Sequence, residues 1–129
     1  MASTNTTSTA IAALLALTGT LHAQDPYQQS QALSATKLAE LDAFGSALTL
    51  FGRDAAIATS ETETVYTYEF NSAGELVLID TLTVFEPSGF GESLSLGGEW
   101  LIIGAPKTDI TDFNQGVVHL YERRDGGWR

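Results

Sequence analysis

A segment of this chain occurs twice, in the same order and at a fixed distance. The first copy reads Ala43-Phe44-Gly45-Ser46-Ala47-Leu48-Thr49-Leu50 and the second Gly89-Phe90-Gly91-Glu92-Ser93-Leu94-Ser95-Leu96. Phe44 recurs as Phe90, 46 positions later, and the same offset carries Leu48 to Leu94, Leu50 to Leu96, Gly52 to Gly98 and Ile57 to Ile103 without a gap. A repeat of this length means stacked units that cannot bury their apolar faces alone. It points to architecture before chemistry.

Each copy reads as a run of short strands. Ser93-Leu94-Ser95-Leu96 alternates with period two, the mark of a half-buried strand. Gly97-Gly98-Glu99 is a turn, and Trp100-Leu101-Ile102-Ile103, apolar at every position, reads as a strand covered on both faces. Gly104-Ala105-Pro106 ends it, since Pro offers no N–H to a ladder. A polar loop follows over 107–115, then a third strand over 116–121. A tight turn at Arg124-Asp125-Gly126-Gly127 opens a fourth strand at Trp128-Arg129, which the chain does not complete. The first copy repeats this order: strands over 46–50, 55–59, 65–70 and 76–82, with turns at Phe51-Gly52-Arg53-Asp54 and Asn71-Ser72-Ala73-Gly74. Tyr66, Tyr68 and Phe70 alternate into one aromatic stripe suited to packing on a neighbouring sheet.

Four short antiparallel strands per unit describe one propeller blade. The expected fold is all-β: two four-stranded antiparallel blades of a partial β-propeller behind a signal peptide. The divisions are a signal peptide over 1–23, a polar linker over 24–33 and a segment over 34–42 that reads either as the outer strand of a blade or as a short helix. A degenerate first repeat over 43–82 and a second repeat over 83–129, truncated at its end, follow. The signal peptide rests on the apolar run Ile11-Ala12-Ala13-Leu14-Leu15-Ala16-Leu17 and on Ala23 as the residue before cleavage. It departs from the usual pattern in having no Lys or Arg ahead of the apolar run. That run is far too short to span a membrane, which takes about 20 apolar residues. The mature chain is expected to be secreted or periplasmic.

The second copy carries Phe90-Gly91, Trp100-Leu101-Ile102-Ile103-Gly104-Ala105-Pro106, Gly116-Val117-Val118-His119-Leu120-Tyr121 and Gly126-Gly127-Trp128. In that order these motifs resemble the FG-GAP repeat of integrin-α-type β-propellers, in the form common in exported bacterial proteins. The resemblance covers 43–129. Its structural residues are Phe44, Gly45, Phe90, Gly91, Gly104, Ala105 and Pro106. Phe90 would anchor one blade on the next, Gly91 would admit close backbone approach, and Gly104-Ala105 would keep a crowded strand end small. The first copy departs from the pattern: Ala58-Thr59-Ser60 stands in place of Gly-Ala-Pro, and its loop before strand three is shorter by about seven residues.

The resemblance implies extracellular protein or ligand binding by surface loops, with a protein or carbohydrate partner, and implies no catalysis. Many such blades hold calcium in an Asp-x-Asp-x-Asp-Gly loop, because calcium needs several hard oxygen ligands at once. The corresponding loop offers Asp109, Asp112 and Asn114, with Gly116 for the turn, but its spacing is irregular and Lys107 adds positive charge. No other cofactor is suggested. His119 stands alone in mid-strand and makes neither a zinc site nor a triad. Ser46 and Ser93 lack a nucleophile elbow, phosphate-binding glycine loops are absent, and no carboxylate pair is marked out by its local sequence.

Charge narrows the partners. Sixteen acidic against six basic residues give a net charge of −10, which repels phosphate backbones and sets nucleic acid aside. Arg123, Arg124 and Arg129 gather near the end of the sequence as a local basic patch. There is no cysteine, so thiol chemistry and disulfides are excluded. The leading expectation is a secreted, non-catalytic binding module whose two blades need further blades, or self-assembly, to close a propeller. An accessory propeller piece of a larger secreted hydrolase and a calcium-dependent adhesion module are the alternatives.

Overall fold

Gly52 and Gly98 set the fold going. Each takes a positive φ, +61° and +58°, at the first central position of a two-residue turn. That geometry suits the twist of the strands it joins. The computed structural model describes residues 31–33, 43–85 and 87–129, so the signal peptide over 1–23, most of the linker and the segment over 34–42 lie outside the described residues. Residues 43–129 fall within one unit, Leu33–Arg129. Its described elements are all strands: β1 (Phe44–Phe51), β2 (Asp54–Thr59), β3 (Thr64–Phe70), β4 (Leu76–Thr83), β5 (Ser93–Gly97), β6 (Trp100–Ala105), β7 (Val117–Arg124) and β8 (Gly127–Trp128). They form two four-stranded antiparallel sheets, β1-β2-β3-β4 and β5-β6-β7-β8, each in chain order. Asp125 and Gly126, both with positive φ (49° and 78°), close the last hairpin as a type I′ turn requires.

The repeat is present in the backbone as well as the sequence. The N–H of Ser46 donates to the Ala43 carbonyl at 3.2 Å, and 46 positions on, the N–H of Glu92 donates to the Gly89 carbonyl at 3.0 Å. Gly45 and Gly91 share a φ of +92°. In the third strands the offset becomes 53, as β3 starts at Thr64 and β7 at Val117. The Phe70 N–H donates to the Arg53 carbonyl and the Arg123 N–H to the Glu99 carbonyl, both at 2.8 Å. Phe44 meets Tyr66 edge-on at 5.8 Å and Phe90 meets His119 edge-on at 5.2 Å. The change of offset from 46 to 53 places seven extra residues in the loop between β6 and β7, as the sequence alignment expects.

Residues paired across strands share a face. Ala47, Ala56, Ala58, Val65 and Thr67 lie on one face of the first sheet, here called its front. Leu94, Leu96, Leu101 and Ile103 lie on one face of the second, its back. The core forms between these two faces. Ala56, Ala58 and Val65 gather there with Phe90, Leu96, Leu101, Ile103, Ala105 and Trp128, all buried. Small residues on the front let the larger back approach closely. At Gly91 an added Cβ would lie 3.1 Å from both the Ala58 Cβ and a Val65 methyl.

One expectation needs correction. Trp100-Leu101-Ile102-Ile103 is covered on one face only. Leu101 and Ile103 are fully buried in the core, whereas Trp100 and Ile102 are 44 % and 41 % exposed on the front of the second sheet. The aromatic stripe of Tyr66, Tyr68 and Phe70 lies on the face turned away from the second sheet, with Tyr68 buried and Tyr66 and Phe70 half-buried. The β2–β3 register pairs Tyr66 with Ile57 and Tyr68 with Ala55, on the back of the first sheet. Strand ends also run beyond the sequence reading, since β6 keeps its ladder through Ala105 and stops only at Pro106.

The shared φ of Gly45 and Gly91 allows the seat of the second turn to be isolated. Alanine at either position meets the same backbone strain, but among the described residues nothing lies within 4 Å of a Cβ added at Gly45. Gly91→Ala should therefore cost about 1–3 kcal/mol more than Gly45→Ala, the usual penalty of overpacking. Urea unfolding in dilute solution measures it, and equal losses would mean the Phe90-Gly91 turn is not seated on the first sheet.

Candidate functional site

The two features that the sequence singles out, the Phe-Gly turn and the acidic loop, adjoin at one end of the second sheet. The Gly91 N–H donates to the Gly104 carbonyl at 3.0 Å, tying the turn to β6. The Lys107 N–H donates to the Ser88 carbonyl at 2.7 Å, tying the loop to the turn. Lys107 and Glu92 form an ion pair across this junction, which pushes the Lys107 ammonium up. Gly104 is small for a local reason, because an added Cβ would lie 2.2 Å from the Ser93 hydroxyl on β5.

A residue the sequence analysis passed over fastens this end to the first sheet. Glu63, between β2 and β3, accepts the backbone N–H of Ser88 at 2.8 Å, the N–H of Gly89 at 2.8 Å and the Ser88 hydroxyl at 3.0 Å. Burial pushes the Glu63 carboxyl up, but hydrogen bonds from Gly89, Ser88 and Phe90 outweigh it and hold the group below its usual 4.5. Glu63 itself takes a positive φ of 47°, and Gly116, 53 positions on, takes one of 77°. No local pattern marks Glu63, because its partners lie 25 and 26 residues further on, at the next unit's turn.

The loop over 106–116 is shaped by its own side chains. Asp109 Oδ1 accepts the Asn114 N–H at 2.6 Å, and the Gln115 side-chain carbonyl accepts the N–H and hydroxyl of Thr111 at 3.0 and 3.1 Å. The Gln115 amide donates to Asp112 at 3.4 Å, and the Gly116 N–H donates to the Thr108 carbonyl at 2.9 Å. Asn114 takes a φ of 54°, which a short polar side chain tolerates. The three calcium-candidate residues thus share one loop, with Asp109 turned to the loop backbone and Asp112 to Gln115. Among the described residues no group of three or more His, Cys, Asp or Glu side chains converges. Phe113 and Ile110 project outward, 83 % and 65 % exposed.

His119, half-buried, packs edge-on against Phe90. Ser46 donates its hydroxyl to the Ala58 carbonyl at 3.2 Å and serves the β1–β2 join. The expected basic patch does not form as free charge. Arg123 pairs with Glu69 at 2.7 Å and lies over the Trp128 ring at 5.6 Å, Arg124 pairs with Glu122, and Arg129 lies 3.7 Å from Asp80. Arg123 and Arg129 meet carboxylates of the first sheet, which clustering along the sequence does not reveal, while Arg124 meets Glu122 on its own strand. No helix among the described residues is long and apolar enough to cross a membrane. No protein-family model, curated protein or solved structure matches the chain.

Two expectations follow. Since the lowered Glu63 value favours the folded state above the usual carboxylate range, its contribution is full at neutral pH and fades as pH falls through that lowered value. Glu63→Gln should cost about 1 kcal/mol at pH 7, allowing for partial solvent exposure. The gap from wild type should close as pH falls below the usual carboxylate range in urea unfolding, and a gap that ignores pH would rule the clamp out. Because Asp109 already serves the loop backbone, millimolar calcium should move the unfolding temperature by less than about 1 °C. A rise of several degrees, lost in Asp109→Ala, would make the loop a calcium site.

Proposed function

We propose that the two sheets of this chain are blades of an FG-GAP-type β-propeller and that the protein acts outside the cell as a binding module, not an enzyme. The observation that carries the reading is one sheet laid front to back on another, joined at a Phe-Gly turn whose hydrogen bond and φ recur in both units. Repetition of one packing step is how blades accumulate in a propeller. The contact element is the loop over 106–116. It lies outside the ladder, holds its shape through internal hydrogen bonds, and presents Phe113 and Ile110 to solvent. An exposed aromatic on a pre-shaped loop loses little entropy when it docks, which suits a protein or carbohydrate surface. The acidic net charge of −10 favours partners that are neutral or basic.

The test is binding of the full chain to panels of extracellular proteins and polysaccharides, with Phe113→Ser as the comparison. The loop reading expects about a tenfold or greater loss of affinity in the variant, the usual weight of an aromatic anchor. Affinity unchanged by Phe113→Ser would remove the loop from the binding surface. Turnover of a bound polysaccharide would favour the hydrolase alternative instead.

A further inference from the structure

The second sheet carries on its front the same seat that the first sheet fills. On the first sheet, Ala58 and Val65 receive the Gly91 turn. Their counterparts on the second are Gly104 and Val118, paired across β6 and β7 as Ala58 and Val65 are across β2 and β3. Gly104 and Val118, with Ser93, Ala105 and Gly116, line an open groove of about 470 Å³. Val118 and Leu120 beside it are 68 % and 57 % exposed.

The opposite end of the stack carries the matching plug. Leu48 and Leu50 on the back of the first sheet are 70 % and 58 % exposed, while their counterparts Leu94 and Leu96 face the core. Gly45 has the φ of Gly91 but no neighbour within 4 Å of an added Cβ among the described residues. Two supporting contacts have counterparts, whereas the Glu63 clamp, with Gly116 at its corresponding position, has none. Thr49 Oγ1 accepts the Leu96 N–H across the two sheets at 3.2 Å, and Ser95 and Leu50 hold the corresponding positions. Arg123 crosses to Asp54 at 3.6 Å, and the corresponding positions hold Phe70 and Trp100. Both members of that ion pair change together to aromatics, so neither face would bury an unpaired charge there. Glu122, the counterpart of Glu69, is already neutralised by Arg124.

We propose that the groove on the front of the second sheet receives the Phe44-Gly45 turn of a second copy of this chain, joining copies head to tail. The inference rests on the blade reading above and adds the partner. A front-to-back contact is heterologous, so it continues until a ring closes or a fibre grows. A ring of four to eight blades built from this two-sheet unit takes about two to four copies.

Light scattering and sedimentation of the full chain over a range of concentrations test this, alongside Val118→Glu and Leu48→Glu. Both positions are exposed within one chain, so both variants should keep the wild-type circular dichroism. Wild type should exceed its 13.8 kDa monomer mass, and each variant alone should stay monomeric. Mixing the two variants should restore one competent interface and give a one-to-one dimer and nothing larger. A folded wild-type monomer at every concentration overturns the proposal, as does assembly that survives either single variant. In those cases the Gly91-against-Gly45 comparison still judges the internal stacking by itself.

Discussion

Everything in this molecule depends on the close approach of the Phe90-Gly91 turn to Ala58 and Val65. A two-sheet stack of about 40 residues per sheet has little interior, and what it has lies between one front and one back. Alanines on the front and leucine, isoleucine and phenylalanine on the back fill that space by size complementarity. Dispersion falls off over fractions of an ångström, so a wider gap would forfeit much of the gain. The turn sets the distance at one end. At the other, Asp80 reaches β8, accepting the Trp128 N–H at 3.4 Å.

Polar contacts between the sheets frame this core. Glu63 holds the turn from one side, Thr49 meets β5 at the inner edge, and Arg123 reaches Glu69 and Asp54 further along. Arg123 is only 18 % exposed, yet its guanidinium serves two carboxylates and the Trp128 face together. Such contacts contribute less to stability than to register, and Asp54 Oδ1 and Arg123 Nη1 are buried without a hydrogen-bond partner among the described residues. For an acidic chain the arrangement also places the scarce basic side chains where carboxylates crowd.

The strands, their order and the repeat were legible because period-two patterns and glycine turns are local signals. The seven-residue difference between the loops was legible from alignment alone. What covers each face was not. Trp100 and Ile102 look as buried as Leu101 and Ile103 in sequence, and the tyrosine stripe looks like an interface. Burial of a face depends on which unit lies against it, and strand chemistry does not state that. Glu63 and Arg123 were hidden for a related reason: each acts on a partner at least 25 residues away, in the other sheet.

The two units differ by seven residues in one loop while their ladders keep the same register on both sides of it. Length at that end is therefore uncoupled from the framework. Lengthening a surface loop costs only about 0.6 kcal/mol per doubling, and here no strand pairing shifts in response. The end of the sheet that bears this loop is a place where new sequence can be grafted, by evolution or by design, with the scaffold left as it is.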